Sequence, residues 1–160
     1  MKRSRYMKKV AVALVLFAFV LAGCSDKKVG DAKMSLFRTT NPHPAVLYES
    51  KEEFAFAEDV HKYVLSFPEI YDAAIITGKK KVLVAYKVKH MKRFGMKKIE
   101  KELNKKLEKK FSDHSFTVSS DYKIFLEAVN LNEHLKNPSF SRKKARKDFK
   151  KIIELQKEKT

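Results

Sequence analysis

Apolar residues fall into three kinds of run along the chain: one unbroken, several at helical spacing and two that alternate. The unbroken run is residues 10–20, VAVALVLFAFV. Helical spacing starts after Ser50, where Ser50 and Glu53 fit a capping box and Phe54, Ala57, Val60, His61, Val64 and Leu65 recur three or four positions apart. Pro68 ends that pattern, so a first helix is expected over 51–66. Two β-prone runs follow, 73–77 and 82–89, separated by Gly78, Lys79, Lys80 and Lys81, which reads as a hairpin. In the second run Val82, Val84, Tyr86 and Val88 share one face, while Leu83, Ala85, Lys87 and Lys89 share the other. This predicts a sheet covered on one side, its opposite side turning basic. Met96, Ile99, Leu103, Leu107 and either Lys110 or Phe111 mark a second helix over 95–111. Residues 116–119 suit a short strand. Ser120 and Asp121 then offer an N-cap for a third helix, with Tyr122, Phe125, Leu126, Val129 and Leu135 on its inner face.

The expected fold is α+β. An α-β-β-α-β-α unit over 50–136 forms a three-stranded sheet with helices packed on one face. A basic helical tail follows over 137–160. It holds Phe149, Ile152 and Ile153 as a narrow apolar strip that suits an interfacial helix or, alternatively, a solvated helix packing on the domain, within a segment (142–160) of nine Lys/Arg and three Asp/Glu. Residues 24–49 lack a sustained period and include Pro42 and Pro44, so they read as a tether, with Leu36, Phe37 and Leu47 able to dock on the core.

Residues 1–23 have the parts of an export leader: Lys2, Arg3, Arg5, Lys8 and Lys9, then the apolar run, then small residues. The apolar stretch 10–23 reaches only ~21 Å as a helix, short of a ~30 Å hydrocarbon core. Leu21, Ala22, Gly23 and Cys24 resemble the lipobox of bacterial lipoproteins at all four positions. The resemblance implies that a signal peptidase recognises Leu21, Ala22 and Gly23, and that Cys24 takes a diacylglycerol and becomes the acylated N-terminus. Cys24 is the one cysteine in the chain, which also excludes an intrachain disulfide and a multi-cysteine metal site.

The chain has 160 residues, enough for one small domain with tails, and a formal net charge of +17. Loss of residues 1–23 leaves 31 bases against 19 acids, so the basic excess belongs to the exported part. The candidate contacts with an anionic surface are Lys79, Lys80 and Lys81 at the hairpin, a stretch from Lys87 to Arg93, and Arg142, Lys143, Lys144, Arg146 and Lys147 in the tail. Partners expected on this basis are the membrane, through the acyl chains, then anionic lipid, a wall polymer or an envelope protein. Nucleic acid is disfavoured by the leader and by the lack of interleaved aromatics.

Pro68 and Ile70, then Ala74, Ile75, Ile76 and Gly78, then Val82, Val84 and Ala85 resemble the central hairpin of the YhcN/YlaJ-type sporulation lipoproteins of endospore-forming bacteria. Residues 116–121, FTVSSD, resemble the strand that leads into a polar helix start in that family. The resemblance spans 50–136 and the leader; the basic tail has no counterpart in it. More distantly, the layout resembles small αββαβ modules of ring-forming and envelope-binding proteins. The family resemblance implies a lipoprotein made during sporulation, held at a spore membrane and bearing on germination, with no catalysis and Cys24 as its functional position.

Candidate chemistry is sparse. His43, His61, His90, His114 and His134 form no HxH or HExxH pair, and there is no GxSxG or Gly-rich phosphate loop. Asp59, Glu69 and Asp72 read as solvated carboxylates. The expectation is therefore a non-enzymatic envelope lipoprotein on the outer face of the cell membrane, with no catalytic residue, metal or cofactor. Its role is structural or partner-binding; a basic module binding anionic lipid, wall polymer or nucleic acid is the alternative.

Overall fold

A computed structural model describes residues 41–159. The leader, Cys24 and the first part of the expected tether lie outside the described residues. Nine elements follow in order: strand β1 (Ala45–Val46), helix α1 (Lys51–Leu65), β2 (Ile70–Gly78), β3 (Lys81–Val88), a 3-10 helix (His90–Gly95), α2 (Met96–Lys110), β4 (Ser115–Ser119), α3 (Tyr122–Leu135) and α4 (Arg142–Glu158).

The strands form one sheet in the order β1-β2-β3-β4. β2 and β3 are the antiparallel hairpin; β1 joins β2 in parallel and β4 joins β3 in parallel. The mixed α/β class is as expected, but the sheet has four strands, not three. The extra strand is Ala45–Val46, paired with Ile76 and Thr77, and Leu47 N–H donates to the Thr77 carbonyl at 2.9 Å. Pro42, Pro44, Ala45 and Leu47 are all buried. Residues 44–49 thus belong to the folded body and not to a tether. Two residues are too short to leave a strand period in a sequence.

The layers also differ from the expected helices on one face. Ala73, Ile75, Val82, Val84 and Tyr86 pack beneath Val60 and Val64 of α1 and Leu103 and Leu107 of α2. On the opposite side Ala74, Ile76, Leu83 and Ala85 pack beneath Ile124, Phe125, Ala128 and Leu131 of α3 and Ala145, Phe149, Ile152 and Ile153 of α4. Both sheet faces are covered. Strands buried on both faces read as continuous apolar runs, and Leu83 and Ala85 already carried that signal before Lys87 and Lys89 obscured it. The tail helix is therefore a wall of the core, and its Phe149–Ile152–Ile153 strip is spent on the sheet and not on a membrane.

Local caps act largely as the residue types require. Ser50 Oγ accepts from Glu53 N–H at 3.0 Å, but Ser50 N–H donates to the Tyr48 carbonyl, so only half of the capping box forms. Asp121 Oδ1 accepts from the amides of Lys123 at 2.8 Å and Ile124 at 3.1 Å, starting α3. The inner face of α3 is Ile124, Phe125, Ala128, Leu131 and Asn132; Tyr122 and Leu126 are exposed, because the helix is rotated by one position from the expected phase. The 3-10 helix after β3 has no counterpart in the sequence reading.

Candidate functional site

The hairpin tip and α4 together build a cationic groove. β2 ends at Gly78 and β3 begins at Lys81, so the turn is the two residues Lys79 and Lys80. Lys79 adopts φ 55°, the left-handed region that L side chains seldom occupy. The tip is tied down by Ser115, whose N–H donates to the Lys80 carbonyl at 2.7 Å. Gly78 sets how closely the tip lies on its neighbours. A Cβ there would come within 3.0 Å of Leu47 Cδ1 and 3.3 Å of Phe149 Cε1. Lacking one, the hairpin settles onto Leu47 and α4.

The result is a groove of about 610 Å³ with Lys79, Lys80 and Lys81 on one wall and Arg146, Lys150 and Lys157 on the other. Leu47, Phe149 and Ile153 supply its apolar part, and Glu154 is the one acidic residue among those lining it. None of the six cations forms an ion pair with a described residue. Tyr48 organises two of them: Lys79 Nζ lies 5.1 Å and the Arg146 guanidinium 5.5 Å from the centre of its ring. Like charges held close with few counter-charges create a field that is relieved by an anion.

The sequence-predicted basic residues separate on folding. Lys79, Lys80, Lys81 and Arg146 converge. Arg142 does not join them: its guanidinium pairs with Glu49 and donates to the Val46 carbonyl at 3.2 Å, locking α4 to β1. Lys144 lies over Phe140, 5.3 Å from its ring centre, and Lys143 and Lys147 are exposed outside the groove. Lys150 and Lys157 are gained. Their spacing from Arg146 follows one face of a helix, which the sequence could have shown had α4 been phased on Phe149 and Ile153.

Two other polar clusters hold the body together. Asp72 is buried, not solvated, and pairs with Lys87 at 2.8 Å, the Lys87 ammonium lying 4.4 Å from the Phe125 ring centre. The basic stretch after β3 therefore loses Lys87 to the core. At the other end, Ser120 N–H and Oγ donate to Glu100 at 3.0 and 3.1 Å, beside the buried Tyr86 phenol. Burial pushes that phenol well above the ordinary tyrosine range, the Glu100 charge adds to this, and Ser120 works against it. Burial would raise the Asp121 carboxyl, but the Lys159 ammonium at 2.6 Å and the α3 amides outweigh it and hold the group below its usual value.

Among the described residues no group of three or more His, Cys, Asp or Glu stands where it could hold a metal ion, and no helix is long and apolar enough to cross a membrane. His61 is buried on α1, His114 stacks on Phe56 and His134 on Phe140, while His43 and His90 are exposed. The chain matches no protein-family model, and no curated protein matches it.

Proposed function

We propose that this chain is a non-enzymatic lipoprotein of the bacterial envelope, held on the outer face of the membrane by acyl chains on Cys24. There it binds an anionic envelope polymer in the groove between the hairpin tip and α4. The observation that carries the reading is the convergence of six cations, from segments about 70 residues apart, against one acid. Each such cation contributes ~1 kcal/mol near an anionic surface. The concave shape favours a chain lying between two charged walls over a flat sheet of headgroups. Within the groove, Tyr48 is already engaged by Lys79 and Arg146, which disfavours it as a platform for a stacked nucleobase. The residues resembling the YhcN/YlaJ-type lipoproteins support placing the protein at a spore membrane, made during sporulation and bearing on germination.

Two measurements test this. Cys24→Ala should release the protein from the membrane fraction and abolish acylation detected by mass spectrometry; an unmodified leader in native material would refute the anchor. For the groove, poly(glycerol phosphate) binding is compared between Lys79→Gln/Lys80→Gln/Lys81→Gln and Lys101→Gln/Lys105→Gln/Lys109→Gln, which removes the same charge from the exposed side of α2. The groove variant should lose roughly tenfold or more in affinity and the control under about threefold. Equal losses would mean diffuse charge only, and tighter binding of a single-stranded oligonucleotide would favour the nucleic-acid reading.

A further inference from the structure

Met91 and Phe94 stand apart from every other apolar side chain of the described chain. Met91 is 83% and Phe94 104% exposed, whereas the next most exposed large apolar residue, Phe54, is 46%. Both lie in the 3-10 helix His90–Gly95, which buries none of its residues. Side chains three apart in a 3-10 helix eclipse, so these two project from the same side as a pair. The 3-10 helix runs straight into α2 at Met96, whose buried Leu103 and Leu107 fix it to the sheet. The pair is thus displayed on an anchored support.

The sequence around the pair is strongly basic. Residues 89–98, KHMKRFGMKK, hold Lys89, Lys92, Arg93, Lys97 and Lys98 and no acid. All five are exposed. Apolar tips ringed by cations match a surface whose outer layer is anionic and whose next layer is apolar. A protein partner fits less well: a stable interface needs about 800 Å² per side, and a Phe and a Met present at most a few hundred. A second copy would also bring five cations against five.

We propose that this 3-10 helix is a second membrane contact, in which Met91 and Phe94 enter the headgroup–acyl boundary of an anionic bilayer while Lys89, Lys92 and Arg93 engage the lipid phosphates. It is separate from the polymer groove and uses none of its residues. It turns a body held by an N-terminal tether into one held at two points, with a defined face toward the lipid.

The chain contains no Trp, so Phe94→Trp gives a single fluorescent reporter. The full-length chain, isolated from host membranes, is reconstituted into phosphatidylcholine vesicles with or without phosphatidylglycerol, and Cys24 acylation is read in the same sample by mass spectrometry. The indole introduced by Phe94→Trp is expected to shift to the blue only with phosphatidylglycerol, and to be quenched by brominated acyl chains roughly threefold more than a control indole. The control is Leu126→Trp, on α3 across the sheet. Adding Lys89→Gln/Lys92→Gln/Arg93→Gln should abolish most of the difference. Equal quenching of the two reporters, or none, overturns the proposal. So does a blue shift that follows protein concentration in detergent without vesicles, which would mean that a second copy covers the pair. An unacylated Cys24 with strong quenching of the Phe94→Trp reporter would reject the anchor and keep this contact.

Discussion

His61 shows how one side chain couples the core to pH. It lies on the buried stripe of α1, 8% exposed, and its Nε2 makes no hydrogen bond. Burial lowers its pKa; Glu58, the Ala73 backbone and Asp72 pull it back up, and His43 adds to the lowering. The unfolded imidazole titrates near 6.5, so between the folded and unfolded values the unfolded chain binds the extra proton. The stability linked to this group is then fully present above about pH 6.5 and is lost as the pH falls below it. Urea midpoints measured from pH 7.5 downward should fall through this window, and His61→Gln should flatten that part of the curve. The Asp72–Lys87 pair is a second buried polar feature among several, with side chains 0% and 9% exposed. Opposite charges directly across β2 and β3 satisfy one another, so each is tolerated in the core only with its partner.

At the scale of elements, the hairpin turn conflicts with its own local preference. A lysine at φ 55° costs ~1–2 kcal/mol relative to the right-handed region. Glycine takes that conformation freely but loses more entropy on folding, so Lys79→Gly should stabilise the protein by about 0.5–1 kcal/mol, read as a higher urea midpoint at unchanged m. The same change removes one groove cation and should weaken polymer binding. Stability and charge are therefore opposed at this position. Gly78, beside it, is set by space and not by φ, because the tip must lie against Leu47 and Phe149. Helix α4 divides between two faces, with Ala145, Phe149, Ile152 and Ile153 inward and most of its basic residues outward.

For the whole molecule, α4 decides whether there is a closed core at all. It covers the sheet face of Ala74, Ile76, Leu83 and Ala85 jointly with α3. A chain ended at residue 137 should lose cooperative unfolding and bind a dye specific for exposed apolar surface. The milder Phe149→Ala should remain folded and cost ~3–5 kcal/mol by chemical denaturation, since that ring is 4% exposed. An unaltered denaturation curve for the truncated chain would show that the sheet does not need this cover. The basic surface is also a property of the whole. Lys87 is drawn into a buried pair with Asp72 and Arg142 into a surface pair with Glu49, while Lys150 and Lys157 join the hairpin lysines, so charge is redistributed between structural and accessible roles only on folding.

Much of the element list was legible because it depends on local periodicity. The Ser50 and Asp121 caps, the 3.6-residue pattern of α1 and α2, and the two β-prone runs about Gly78 each signal themselves within a few residues. The two-residue β1 carried too little pattern to be seen. The pattern of β3 predicts cover on one side only, because Lys87 looks solvated until Asp72 is placed opposite it. By itself, the sequence determined the kinds of elements, the basic balance of the chain and a leader-like segment ending in a cysteine. Tertiary structure alone decided what each apolar face covers and which cations meet. An amphipathic helix offers the same stripe to a sheet as to a bilayer, and only the arrangement of distant segments in space chooses between them.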